Sequence, residues 1–125
     1  SYVKKLKDLP ISDITIIEGA GGLCSPLASD GYNIDLIKRI NIPTILVAKD
    51  EIGVINNVML SINMLKKYRI KVLAIVLNRK SNNQPEGMNN YKEISGLTKI
   101  PLIQILNKLN NNQKEFNKII KIIRS

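Results

Sequence analysis

Apolar residues along this chain gather into short runs separated by stretches of helical spacing. Asp13-Ile-Thr-Ile-Ile-Glu18 is a β-branched run, and Ile42-Pro-Thr-Ile-Leu-Val-Ala48 is a second. Pro43 sits at the start of that second run, where a missing N–H is tolerated. Lys71-Val-Leu-Ala-Ile-Val-Leu-Asn78 is a third, and Pro101-Leu-Ile-Gln-Ile105 is a shorter fourth. These runs are apolar on both faces, the pattern of buried parallel strands. Helical spacing predicts a helix over Asn33–Ile40, with Ile34, Leu36 and Ile37 inward. A longer one runs from Val54 to Tyr68, with Val54, Val58, Leu60 or Ser61, Ile62 and Leu65 inward. Met88–Leu97 is a weaker helical pattern, interrupted by Gly96. Asn111–Arg124 carries Phe116, Ile119, Ile120 and Ile123 on one stripe, with Asn110 or Asn111 as N-cap. Tyr2–Leu9 also reads as helix. Strands alternating with helices predict an α/β fold, a parallel sheet with right-handed crossovers and flanking helices. Arg79–Gly87 is the one markedly polar stretch.

In such sheets ligands sit beyond the carboxyl ends of the strands. The first run ends in Glu18-Gly-Ala-Gly-Gly22. A carboxylate there suits Mg²⁺, which prefers hard oxygen ligands, and the glycines let backbone N–H groups approach an anion. The alternative is a tight turn with Glu18 paired to a lysine. The second run leads through Lys49-Asp-Glu-Ile-Gly53 into the long helix, whose free N–H groups could hold an anion. Simple capping by Asp50 or Asn56 is the other reading. Asn78 closes the third run, where it could read a purine edge or serve only as a turn residue. Tyr32 and the paired asparagines suggest no role.

Composition narrows these options. The 125 residues make one domain, and 44% hydrophobic content fits a globular one. No apolar run approaches the roughly 20 residues of a membrane span, and the N-terminal residues lack a signal-peptide stretch. With no histidine, imidazole chemistry is excluded for this chain. Cys24 is the only cysteine, which rules out an internal disulfide and fits a reducing cytoplasm. The net charge of +9 comes from 15 Lys and only 4 Arg, with 4% aromatics. Nucleic-acid surfaces call for Arg forks and stacking rings, so this excess reads as solvated lysine faces. Lys66, Lys67, Arg69 and Lys71 mark a helix end and the next strand start. The chain contains no Gly-x-x-x-x-Gly-Lys-[Ser/Thr] and no Gly-x-Gly-x-x-Gly, so no phosphate loop or dinucleotide fingerprint lies within it.

Four blocks together resemble a known family. Glu18-Gly-Ala-Gly-Gly-Leu-Cys-Ser-Pro-Leu27, Ile42–Ala48, Ile52-Gly-Val-Ile-Asn56 with Met59-Leu60, and Leu73–Asn78 are similar, in order and spacing, to the carboxyl-terminal part of dethiobiotin synthetase. The resemblance covers roughly residues 12–105 and implies part of a P-loop NTPase-like, three-layer α/β/α fold. Residues 1–125 would then be a single partial domain whose P-loop portion lies upstream. It implies a cytoplasmic homodimeric enzyme that uses ATP, Mg²⁺ and CO2 to close the ureido ring of dethiobiotin on 7,8-diaminopelargonate in biotin biosynthesis. Glu18 would be the magnesium carboxylate, and the backbone at Gly21 would face the carbamate. Gly53, Val54, Ile55 and Asn56 would hold the substrate's carboxylate tail across the dimer. Asn78 would read adenine with Pro101, Leu102 and Ile103 beside it. The chain departs from the family at Gln104, where glycine is usual, and at Glu51 next to Asp50. Alternatives are an inactive remnant serving as an interaction or dimerisation module, and a related P-loop protein of the cobyrinate amidotransferase type. The 125 residues alone are expected to be inactive.

Overall fold

A computed structural model describes residues 1–81, 84–107 and 111–125. In chain order the elements are helix α1 (Tyr2–Lys7), strands β1 (Pro26–Ala28) and β2 (Gly31–Tyr32), helix α2 (Asn33–Ile40), strand β3 (Thr44–Lys49), helix α3 (Val54–Lys67), strand β4 (Val72–Asn78), helix α4 (Asn90–Leu97), strand β5 (Leu102–Ile105) and helix α5 (Gln113–Arg124). β3, β4 and β5 form a parallel sheet in that order, while β1 and β2 make a separate antiparallel pair.

The pleat of β4 divides the core into two layers. Ile75 and Leu77 face Val54, Val58 and Ile62 of α3 and Ile94 of α4, with Leu46 and Ala48 of β3 packed beside them. Ala74 and Val76 face the opposite way, onto Ile103, Ile105 and the α5 residues Ile119 and Ile122. Successive side chains alternate across a strand, so one continuous apolar run feeds both layers. The result is helix, sheet, helix, as the strand–helix alternation implies.

The helices form where the spacing places them, with ends trimmed by a residue or two. The long helix stops at Lys67, and Arg69 turns the chain at φ 58° into β4. Two inward assignments change. Leu60 is 60% exposed, since α3 turns Val54, Val58, Ile62 and Leu65 inward instead. On α5 it is Ile122 that reaches the core with Ile119, and Phe116 and Ile120 are exposed. That helix lies over β4 and β5 and leaves Val47 of β3 uncovered. Its N-cap is Asn112; of the two expected caps, Asn111 lies just before it and Asn110 lies outside the described residues.

The first predicted strand does not form. Asp13–Glu18 forms no regular element and pairs with no strand among the described residues, and Ile14, Ile16 and Ile17 are exposed. A strand is stabilised by ladder bonds to a partner, and β3, the edge of the sheet, pairs only with β4 among the described residues. The β1–β2 pair within the following loop had no alternating pattern to announce it.

Candidate functional site

The parallel register brings three strand ends to one level: Lys49 of β3 lies opposite Asn78 of β4, and Asn78 opposite Ile105 of β5. Immediately beyond β3, the Asp50 backbone N–H donates to the Asn78 carbonyl at 3.0 Å. The Asp50 side chain is buried and gathers the surrounding loops. One carboxylate oxygen accepts from Arg79 Nε and Gln104 Nε2, each at 3.1 Å, and the other accepts from Asn90 Nδ2 at 2.8 Å. Arg79 also forms an ion pair with it at 3.1 Å. The Asp50 carbonyl accepts from Gln84 Nε2 at 2.9 Å, and Asn90 reaches the Glu51 carbonyl as well. Burial pushes the Asp50 carboxyl pKa up, but the donors Asn90, Gln104, Gln84 and Arg79 outweigh it and hold it below its ordinary 3.8. Asp50 is therefore a charged knot between the ends of β3, β4 and β5 and the start of α4. It is no helix cap.

This knot fixes the entry to α3. Gly53 is the N-cap, at φ 91°, and no side chain caps the helix. The Val54 N–H bonds back to the Glu51 carbonyl, and Asn57 bonds to the Gly53 carbonyl. The N–H groups of Ile55 and Asn56 belong to the first turn and have no carbonyl of the helix to bond. They carry the positive end of a 14-residue helix dipole, which suits an anion. Val54 is buried, Ile55 packs against the α3–β4 core, and Asn56 is exposed. Glu51, out of place beside an anion site, is held in an ion pair with Lys49 at 2.7 Å.

The glycine-rich segment is built separately. Glu18 is exposed, and no hydrogen bond or ion pair among the described residues engages its carboxylate. After it the chain folds over Asn33, the first residue of α2, which is 6% exposed. Asn33 Nδ2 donates to the carbonyls of Ala20 and Gly22, both at 2.7 Å. Ser25 Oγ donates to the Gly21 carbonyl at 2.6 Å. A Cβ on Gly21 would lie 2.7 Å from Ser25 Oγ, and its φ of +83° already excludes most side chains, so glycine is required there.

The structure thus joins Asn78 to Gly53–Asn56 through Asp50. It does not bring Pro101, Leu102 and Ile103 to Asn78. Leu102 pairs with Ile75, three rungs and about 10 Å from the Asn78 rung, and Ile103 is buried in the α5 layer. Gln104 and Ile105 occupy the positions near Asn78, because in a parallel ladder the carboxyl ends lie together. The knot residues Arg79, Gln84, Asn90 and Gln104, and the brace Asn33, carried no motif. Of these only Gln104 had stood out in the sequence, as a departure from the family pattern, and nothing there tied it to Asp50.

Comparison with known proteins identifies the family. A family model described as an AAA domain matches residues 3–115. The chain belongs to that family, in its dethiobiotin synthetase branch. It shares 38% identity over 117 residues with the ATP-dependent dethiobiotin synthetase of Vesicomyosocius okutanii, covering 92% of this chain and 53% of that protein. The enzyme of the same name from Endomicrobium trichonymphae is 33% identical over 112 residues, 90% of this chain and 51% of the relative. That of Halalkalibacterium halodurans is 39% identical over 93 residues, 73% and 38% respectively. The chain spans about half the length of the curated relatives it matches. The α/β architecture is that of a P-loop NTPase-like fold.

Proposed function

We propose that this chain is the carboxyl-terminal portion of a dethiobiotin synthetase, an ATP-dependent ligase that joins CO2 to 7,8-diaminopelargonate and closes the ureido ring. The observation that carries this reading is the α3 entry: an uncapped, glycine-initiated helix N-terminus fixed beside Asn78 by the Asp50 knot. It supplies an anion site of the kind a substrate carboxylate tail needs, at the carboxyl end of a parallel sheet. One amine of the substrate takes up CO2 as a carbamate, ATP phosphorylates it, and the second amine displaces phosphate to close the ring.

In this reading Gly53, Val54, Ile55 and Asn56 bind the tail through the α3 terminus, for a second copy of the chain in a homodimer. The backbone at Gly21 faces the carbamate. Asn78 offers both donor and acceptor to adenine, and the Gln104–Ile105 stretch, rather than Pro101–Ile103, lies beside it. Glu18 fits as a single Mg²⁺ carboxylate. The described residues contain no cluster of three acidic, cysteine or histidine groups, so phosphate, water and residues outside this chain complete the coordination. Held there, the ion would supply neutralising charge for phosphoryl transfer. The phosphate loop and the strands that would pair with Asp13–Glu18 and with the edge of β3 belong to the remaining half of the enzyme. The enzyme is read as cytoplasmic, with small-molecule substrates; no helix among the described residues is long and apolar enough to cross a membrane.

Complementation tests this directly. A gene encoding this chain continuous with an upstream phosphate loop should restore growth without biotin to a bacterium lacking dethiobiotin synthetase. Growth that still demands dethiobiotin would reject the reading.

A further inference from the structure

We propose that Asn33 is a positioning residue that turns the glycine-rich loop into an anion-facing wall. The argument starts from the peptide bond. A trans peptide sets its C=O and the following N–H on opposite edges of one plane, and the chain has no cis peptide. Asn33 Nδ2 draws the carbonyls of Ala20 and Gly22 inward, each at 2.7 Å. The N–H groups of Gly21 and Leu23 therefore point away from Asn33. Ser25 Oγ holds the intervening Gly21 carbonyl, so the Gly22 N–H points away from Ser25. These three successive N–H groups are the donors the wall would offer to a carboxylate, carbamate or phosphate oxygen.

Asn33 is suited to this task because its amide nitrogen has two hydrogens, and both are used. It is held by its own backbone: the Asn33 N–H bonds to the Ser25 carbonyl at 3.1 Å, and the Ile34 N–H to the Leu23 carbonyl at 2.9 Å. The amide thus projects from the first residue of α2, and backbone bonds tie that helix start to the same loop. Aspartate has nearly the same shape but no donor, and would set a carboxylate against two carbonyl oxygens.

The inference deepens the synthetase reading and rests on it for the identity of the anion. Two measurements separate the two. In the complete enzyme, Asn33→Asp should raise KM for diaminopelargonate at least tenfold while leaving KM for ATP within about twofold. A structural lesion would instead reduce kcat with the amount of folded protein and leave both KM values alone. An unchanged KM for diaminopelargonate in Asn33→Asp overturns the role of Asn33. Independently of any enzymatic activity, titrating the ¹⁵N-labelled protein with bicarbonate should shift the amide signals of Gly21, Gly22 and Leu23, and Asn33→Asp should abolish those shifts with the remaining spectrum retained. Wild-type signals that do not respond, or an equal response in Asn33→Asp, would overturn the anion-facing wall. Bicarbonate shifts without dethiobiotin formation by the wild type would support Asn33 and reject the synthetase reading.

Discussion

Asp50 is the side chain on which most of the candidate site depends. It is buried, ionised and surrounded by donors from four parts of the chain. Removing it leaves Arg79 and two amides facing an emptied, mostly desolvated space, so Asp50→Ala should cost about 3 kcal/mol in urea unfolding. Its folded pKa lies below the unfolded value. Its contribution is therefore complete above the unfolded pKa near 4 and is lost as pH falls through the depressed folded value. Wild-type stability should drop on acidification below about pH 4. Asp50→Asn, already weakened at neutral pH, should show a flatter acid limb, and parallel acid limbs would remove Asp50 from the titration. Glu18 calls for a different measurement. It has no structural partner among the described residues, so Glu18→Gln should leave stability unchanged while lowering kcat of the complete enzyme by at least tenfold with little change in substrate KM. An undiminished rate would reject its magnesium role.

At the scale of elements, β3, β4 and β5 and all the helices were legible because burial writes periodicity into sequence. Ile75 and Leu77 against Ala74 and Val76 are one uninterrupted apolar run, and that continuity reveals a strand covered on both faces. Asp13–Glu18 is also a β-branched run but has not the same structure, since such a run records a tendency to pair and cannot supply the partner. On helices the error was angular: Leu60 sits between positions whose stripe is set by Val58 and Ile62. Leu60→Ala should therefore change stability by less than about 0.5 kcal/mol, whereas Ile62→Ala, at a fully buried position, should cost about 2–5 kcal/mol. Equal costs would place the α3 face wrongly. The α3 entry was readable from Gly53 and the helix that follows. Gly53→Asp would set a carboxylate at the anion site and should raise KM for diaminopelargonate several-fold in the complete enzyme; an unaltered KM would move the tail elsewhere. The knot was not readable, because Asp50, Arg79, Asn90 and Gln104 lie up to 54 residues apart and meet only when the parallel register brings the strand ends together.

For the whole molecule, two candidate regions exist at once, each with its own support. The sheet ends, joined by Asp50, organise Asn78 and the α3 terminus, while Asn33 organises the glycine loop after Glu18. Each is held by buried amides or carboxylates that touch no motif residue's side chain, so the motifs were legible but their supports were not. In the proposed reading, the exposed isoleucines of residues 11–17 and the edge of β3 that is unpaired among the described residues would take neighbouring strands from the rest of the enzyme. The positive charge follows from lysine-rich helix faces such as Lys114, Lys118 and Lys121 on α5. The most direct test of the central claim is dethiobiotin formation from 7,8-diaminopelargonate, bicarbonate and Mg-ATP by purified protein, followed by mass spectrometry. The 125-residue chain continuous with its phosphate-loop half should form dethiobiotin with one ATP consumed per ring, and the chain by itself should form none. Product from the isolated chain, or ATP consumption by the complete protein without dethiobiotin, would contradict the account.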